Sequence, residues 1–195
     1  AVPATSLPAA VNGVIDLVED VELTTAYEVT SVLTVNLNGF TVSAPDDTEG
    51  NGIFWVKNGG DLTIEGSGTV DGVGTNNWNM AIWADGGKVT INGGTYTNVD
   101  ATSDIPDDNH FDLIYAKNGG EVVINGGEFT CVTPKWTLNS NDSLKGTFIV
   151  KGGTFTEYDP ANNTTENPVI NWVAEGYESV QNGANYTVSK APAIS

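Results

Sequence analysis

Arginine is missing from this sequence. Its seven basic residues are all lysine and stand against 25 acidic ones, for a formal net charge of −18. A surface of that sign repels the phosphates of nucleic acid and anionic lipid, which excludes both as partners. There is one cysteine, Cys131, so an internal disulfide framework is ruled out, while a lone thiol does not separate a reducing from an oxidising compartment. Cys131 reads as a small buried hydrophobe. With a single histidine, His110, no Cys/His metal spacing exists, and neither a nucleophile elbow nor a phosphate-binding loop is present. No apolar run approaches the roughly 18 residues of a membrane helix, and the first ten residues lack the basic and apolar regions of a secretory signal. The chain is therefore expected to be soluble. Charged residues are also scarce, at 16% against 39% hydrophobic. That leaves ample apolar material for one core in 195 residues and argues against disorder.

What the sequence has in abundance is repetition. Leu62-Thr-Ile-Glu-Gly66, Val89-Thr-Ile-Asn-Gly93, Val122-Val-Ile-Asn-Gly126 and Phe148-Ile-Val-Lys-Gly152 share one template, and Val35-Asn-Leu-Asn-Gly39 matches it more loosely. Successive starts lie 27, 27, 33 and 26 residues apart, the spacing of one solenoid coil. Within each template the alternate residues are apolar, as in a strand with one buried side. Paired glycines follow, where positive φ permits a sharp turn. Next come Thr95-Tyr-Thr-Asn98, Glu128-Phe-Thr-Cys131 and Thr154-Phe-Thr-Glu157, whose aromatics Tyr96, Phe129 and Phe155 share a phase and should stack inside. A third strand precedes each template in Ile53-Phe-Trp-Val56, Ala81-Ile-Trp-Ala84 and Leu113-Ile-Tyr-Ala116. Three short strands, two tight turns and one longer loop make a three-sided coil. Glycine recurs too often, and β-branched and aromatic residues are too common, for long helices.

The expected fold is therefore all-β: a right-handed, three-sided parallel β-helix (β-solenoid) of about five to six coils with irregular terminal caps. Residues 1–11 are expected as an extended arm or linker, 12–166 as the β-helix and 167–195 as a C-terminal cap and tail. Residues 14–32 would form an irregular first coil, and an Asn182-Gly183 turn between Val180 and Tyr186 would make the cap a hairpin.

These residues resemble the pectin-lyase-like β-helix superfamily, especially short acidic versions in phage virion proteins and gut-bacterial surface proteins. The likeness covers about residues 12–188, through Leu33-Thr-Val-Asn-Leu-Asn-Gly39, the Ile-Asn-Gly-Gly repeats, Trp172-Val-Ala-Glu-Gly-Tyr177 and Tyr186-Thr-Val188. It speaks for architecture more than for function, because that superfamily mixes lyases, hydrolases, adhesins and structural parts. Lyases of this fold pair a carboxylate calcium site with a basic Arg or Lys. Here Arg is absent and the lysines, Lys57, Lys88, Lys117 and Lys151, are expected mostly in turns. A hydrolase would need paired carboxylates in different protonation states. The candidates are Asp71, Glu128 and Glu157, of which Asp71 and Glu157 are expected in one column with Glu128 offset, and a solvated acidic face accounts for them better. In the insertion Asp104-Ile-Pro-Asp-Asp-Asn-His110, Asp107, Asp108 and His110 are weak metal candidates without calcium-loop spacing, so a solvated loop is favoured. No enzyme activity and no cofactor are expected.

The aromatic strand is more informative. Trp55, Trp83 and Tyr115 form one column and Phe54, Ile82 and Ile114 the next, while Val56, Ala84 and Ala116 share phase with the latter. Small aliphatics suit an interior, so Trp55, Trp83 and Tyr115 are expected outside, with the reversed phase as the alternative. An exposed aromatic ladder serves either another subunit or the ring of a sugar. Trp78 and Trp136, in or near variable loops, favour subunit contact. The expected role is a non-enzymatic structural protein on an extracellular assembly, most specifically a phage capsid decoration or head-fibre protein at the virion surface. It would associate with other subunits, as a homo-oligomer such as the trimer that phage β-helices form. The alternatives are a glycan-binding module of a bacterial surface protein and a polysaccharide-degrading enzyme.

Overall fold

The computed structural model describes residues 2–44, 52–72, 80–99, 111–140, 145–166 and 168–194. Coil one contains β1 (Val14–Asp16), β2 (Val21–Glu22) and β3 (Tyr27–Val29), and coil two β4 (Val32–Asn36), β5 (Thr41–Ser43) and β6 (Phe54–Lys57). Coil three contains β7 (Asp61–Glu65), β8 (Thr69–Asp71) and β9 (Ile82–Asp85), and coil four β10 (Lys88–Ile91), β11 (Thr95–Thr97) and β12 (Ile114–Lys117). In coil five, β13 (Glu121–Ile124) and β14 (Glu128–Thr130) lead through a short 3-10 turn at Pro134–Trp136 into β15 (Leu138–Ser140). β16 (Thr147–Val150) and β17 (Thr154–Thr156) begin a sixth coil, and an antiparallel pair, β18 (Tyr177–Asn182) and β19 (Asn185–Lys190), closes the chain.

Equivalent strands pair in parallel to make three sheets. Sheet 1 runs β1-β4-β7-β10-β13-β16, sheet 2 runs β2-β5-β8-β11-β14-β17-β19-β18 and sheet 3 runs β3-β6-β9-β12-β15. The chain is thus an all-β, three-sided parallel β-helix. The register is the one the four close repeats imply: Leu62, Val89, Val122 and Phe148 stand in one inward column of sheet 1, and Ile64, Ile91, Ile124 and Val150 in the next, whereas the looser Val35-Asn-Leu-Asn-Gly39 match is two residues out, since Leu33 pairs with Leu62 and Val35 with Ile64. All eight are buried.

In sheet 2 the phase shared by the aromatics becomes a stack. Phe129 lies between Tyr96, at 5.1 Å and 9°, and Phe155, at 4.7 Å and 11°. Such pairs are worth about 0.5–1.5 kcal/mol beyond their buried area. The Tyr96 hydroxyl donates to the carbonyl of Gly93 at 2.8 Å, so the phenol is satisfied inside the core. Burial, reinforced by the charge of Glu65, holds this phenol well above its usual range.

Corner length is controlled unequally. Between sheets 1 and 2 the chain spends residues 17–20, 37–40, 66–68, 92–94, 125–127 and 151–153, and between sheets 3 and 1 it spends 30–31, 58–60, 86–87, 118–120 and, the one longer return, 141–146. Between sheets 2 and 3 it spends 23–26, 44–53, 72–81, 98–113 and 131–137. Glycine sets the short corners. A Cβ on Gly60, Gly87, Gly120 or Gly146 would collide with the backbone carbonyl of Val29, Lys57, Ala84 or Ala116 in the preceding coil. The asparagine of the Ile-Asn-Gly template lies at the other short corner, outside the barrel. Asn36 donates to Asp16 at 2.7 Å, Asn92 to Glu65 at 2.7 Å and Asn125 to Asn92 at 2.9 Å, binding successive coils edge to edge.

The N-terminal end departs from expectation. Residues 14–32 form a regular coil in parallel register with the next one. The segment before it is no free linker: Ala4 bridges Val21 in parallel and Leu7 is buried, because the open edge of β2 needs a backbone partner and the first coil an apolar lid. At the other end Trp172 packs edge-on against Phe148 at 5.2 Å, Val173 bridges Val150, and the expected hairpin pairs β19 with β17. Its turn is Gly183-Ala184, closed by the pair Asn182 and Asn185.

Candidate contact face

Sheet 3 exposes two of the three residues of the aromatic ladder, Trp55 and Trp83. Phe54, Ile82, Ile114 and Leu138 fill one inward column and Val56, Ala84, Ala116 and Ser140 the other. Glu28, Trp55, Trp83, Tyr115 and Asn139 occupy the alternate, outward phase. Trp55 and Trp83 are partly exposed, whereas Tyr115 is only 6% exposed although it shares their phase.

The two indoles stack on each other, with centroids 4.9 Å apart and planes 5° from parallel. Lys57 places its ammonium 4.0 Å from the Trp55 ring and pairs with Glu28 of coil one at 3.1 Å. Lys117, from the coil above, lies 5.1 Å from the Trp83 ring. Along the axis the order is Glu28, Lys57, Trp55, Trp83, Lys117, so cations cap both ends of the aromatic pair. Asp85 locks the arrangement: it accepts from Trp55 Nε1 at 3.0 Å and from Asn118 Nδ2 at 2.6 Å. A sugar ring packs against an aromatic face, and here the faces are taken by the other indole and by lysine. The ladder presents ring edges outward. The Trp83 Nε1 donor is buried and unpartnered.

Beyond the ladder the structure buries polar groups that sequence patterning did not reveal. Asp112, 5% exposed, stands just before β12. Its backbone carbonyl accepts from Asn98 at 3.3 Å, and its carboxyl interacts with the Asn139 side chain. Asp112 Oδ1 and Asn139 Oδ1 are both buried without a partner. Burial pushes the Asp112 carboxyl up to about 7, the Asn139 hydrogen bond offsetting this in part. Beneath them the Cys131 thiol donates to the carbonyl of Phe111 at 2.9 Å, and burial raises it to about 11. Cys131 is the buried small group its sequence suggested. The buried Asp112 had no signal in the sequence, where it is one acid among 25.

The carboxylates considered for hydrolysis are not brought together. Asp71 stands in an outward column of sheet 2 with Ser43, Thr97, Thr130 and Thr156, and Glu128 stands in the other with Thr69, Thr95 and Thr154. Glu157 falls one residue past Thr156, at φ 51°, with its amide bonded to the Ala184 carbonyl, so it does not share the column of Asp71. The left-handed residue turns the chain out of the strand there. Asp107, Asp108 and His110 lie outside the described residues, as does Trp78. Among the described residues no group of three His, Cys, Asp or Glu side chains is placed to hold a metal. No helix among the described residues is long and apolar enough to cross a membrane.

The fold defines the class, a short acidic parallel β-helix. No family model, curated protein or solved structure matches the chain.

Proposed function

We propose that this chain is a non-enzymatic structural member of an extracellular assembly, touching its neighbours through the outer face of sheet 3. The observation that carries the reading is the Trp55–Trp83 stack, fixed between Lys57 and Lys117 and held by Asp85 on a column of paired strands. Aromatic edges on a rigid sheet bury area against a protein at small entropic cost, and the alternating Glu28, Lys57, Asp85 and Lys117 charges would orient the partner. The net charge of −18 suits dense display, since it keeps neighbouring copies soluble. The resemblance to short phage β-helices narrows the assembly to a virion surface and the role to capsid decoration or head fibre. Light scattering of the native protein, alone and with the particle it decorates, tests this. Self-association or particle binding that weakens in the Trp55→Ser, Trp83→Ser double variant is expected, and a strict monomer that binds no particle would count against it.

A further inference from the structure

Backbone bridges reach three of the six outer strands of the solenoid, yet its longest edge is left open. Ala4 bridges the outer side of β2, Val11 turns back on Val14, and Val173 bridges Val150 of β16. β18, six residues long, forms all six of its register pairs with β19 on one side only. Because the hairpin has a two-residue turn closed by Asn182 and Asn185, the residues bonded to β19 are Glu178, Val180 and Asn182. The bonds from Val188 to Gly153 and from Glu157 to Ala184 fit the same alternation on the far side of β19. The amides and carbonyls of Ser179 and Gln181 therefore point away from the sheet. Among the described residues no strand lies against them. β18 also lacks what usually blunts such an edge: it contains no proline, no lysine and no bulge.

We propose that β18 pairs antiparallel with β18 of a second copy, about a two-fold axis through Val180. The register follows from the residues. Centring the pair on Val180 makes Ser179 of each copy exchange backbone hydrogen bonds with Gln181 of the other, four bonds in all, and uses only the groups that face outward. Val180, 50% exposed in the single chain, then meets Val180 of the second copy at a non-hydrogen-bonded position, where side chains approach most closely. Glu178, the one charged residue of the strand, falls opposite Asn182, so the two acids do not face each other. Ser179, whose hydroxyl is buried without a partner, comes to stand beside Gln181 of the second copy. The interface is isologous and closes as a dimer, joining two eight-stranded sheets into one. This inference rests on the edge alone and not on the contact role proposed for sheet 3.

Hydrogen exchange and sedimentation over a dilution series test it together. The Ser179 and Gln181 amides should be slowed in concentrated protein and exchange freely on dilution, as a dimer gives way to monomer. Val180→Lys places like charges directly opposite each other and should weaken the dimer by roughly tenfold or more. Val180→Cys with glutathione disulfide should give a self-cross-linked dimer and Ser179→Cys should not, the buried Cys131 serving as internal control. Wild-type protein that stays monomeric with both amides unprotected would overturn the proposal. So would a dimer that persists in Val180→Lys, and if that dimer is lost in the Trp55→Ser, Trp83→Ser variant, the sheet 3 reading stands while the edge pairing falls. Protection of the two amides only when a different protein is added would also overturn self-pairing.

Discussion

Asp112 should make this protein less stable as pH rises, against the usual behaviour of acidic residues. Its carboxyl is buried, its Oδ1 has no partner, and its folded value of about 7 stands above an ordinary 3.8. A raised folded value means that the folded state binds the proton more tightly than the unfolded chain does. The stabilisation is thus complete below about pH 4 and disappears as pH climbs through about 7. Three units at 1.36 kcal/mol each amount to about 4 kcal/mol, or on the order of 10 °C in Tm for a chain of this length. The chain carries 25 acidic residues, so the assay is a difference: urea unfolding of wild type and Asp112→Asn, followed by tryptophan fluorescence from pH 4 to pH 8. The two should nearly coincide at pH 4, and the variant should gain steadily until it leads by up to about 4 kcal/mol at pH 8. The amide keeps the shape of the carboxyl, carries no charge, and can donate to the free Asn139 oxygen. A difference that is flat across the range would mean that folding does not hold the Asp112 proton, as would a carboxyl titration at Asp112 by carbon NMR with a midpoint near 4.

Phe129 sits between two rings, so Phe129→Ala should cost about 3–5 kcal/mol in chemical denaturation and cut the stack into two unsupported ends. Gly120→Ala forces a methyl group into the backbone carbonyl of Ala84, where no side chain can swing away. A loss of at least about 3 kcal/mol is expected by the same assay, against about 1–2 kcal/mol for Gly119→Ala, where a Cβ meets nothing and only the φ of +83° opposes it. Raising salt from low to physiological should increase the melting temperature at pH 7, because screening relieves the self-repulsion of a chain with net charge −18; a flat or falling profile in calorimetry would contradict this.

The coil was legible because its physics is local and repeated. Alternation in Val89-Thr-Ile-Asn-Gly93 and its counterparts fixes which side is buried, glycine fixes the corners, and the common phase of Tyr96, Phe129 and Phe155 anticipates the stack. The outward phase of Trp55 and Trp83 followed from the small size of Ala84 and Ala116, which leave no room for indoles on their own side. What escaped was non-local. Leu138–Ser140 completes sheet 3 without an aromatic or a double glycine, so only its register beside β12 identifies it. Ala4 and Leu7 look like linker until the edge they cover is known. That Asp112 is buried, or that lysines occupy the faces of the indoles, depends on which coils meet, and no single repeat contains that information.

The unequal corners have a consequence for how such a chain can change. Where a methyl group would strike a carbonyl of the coil beneath, an inserted residue would force the rung out of step with its neighbours and cost every hydrogen bond of that strand. Length variation is thereby concentrated at the corner that enters sheet 3, where connections run from 23–26 in coil one to 98–113 in coil four, with 141–146 the one longer return to sheet 1. Evolution, or an engineer, can rewrite what borders the tryptophans coil by coil while the column itself remains the same part.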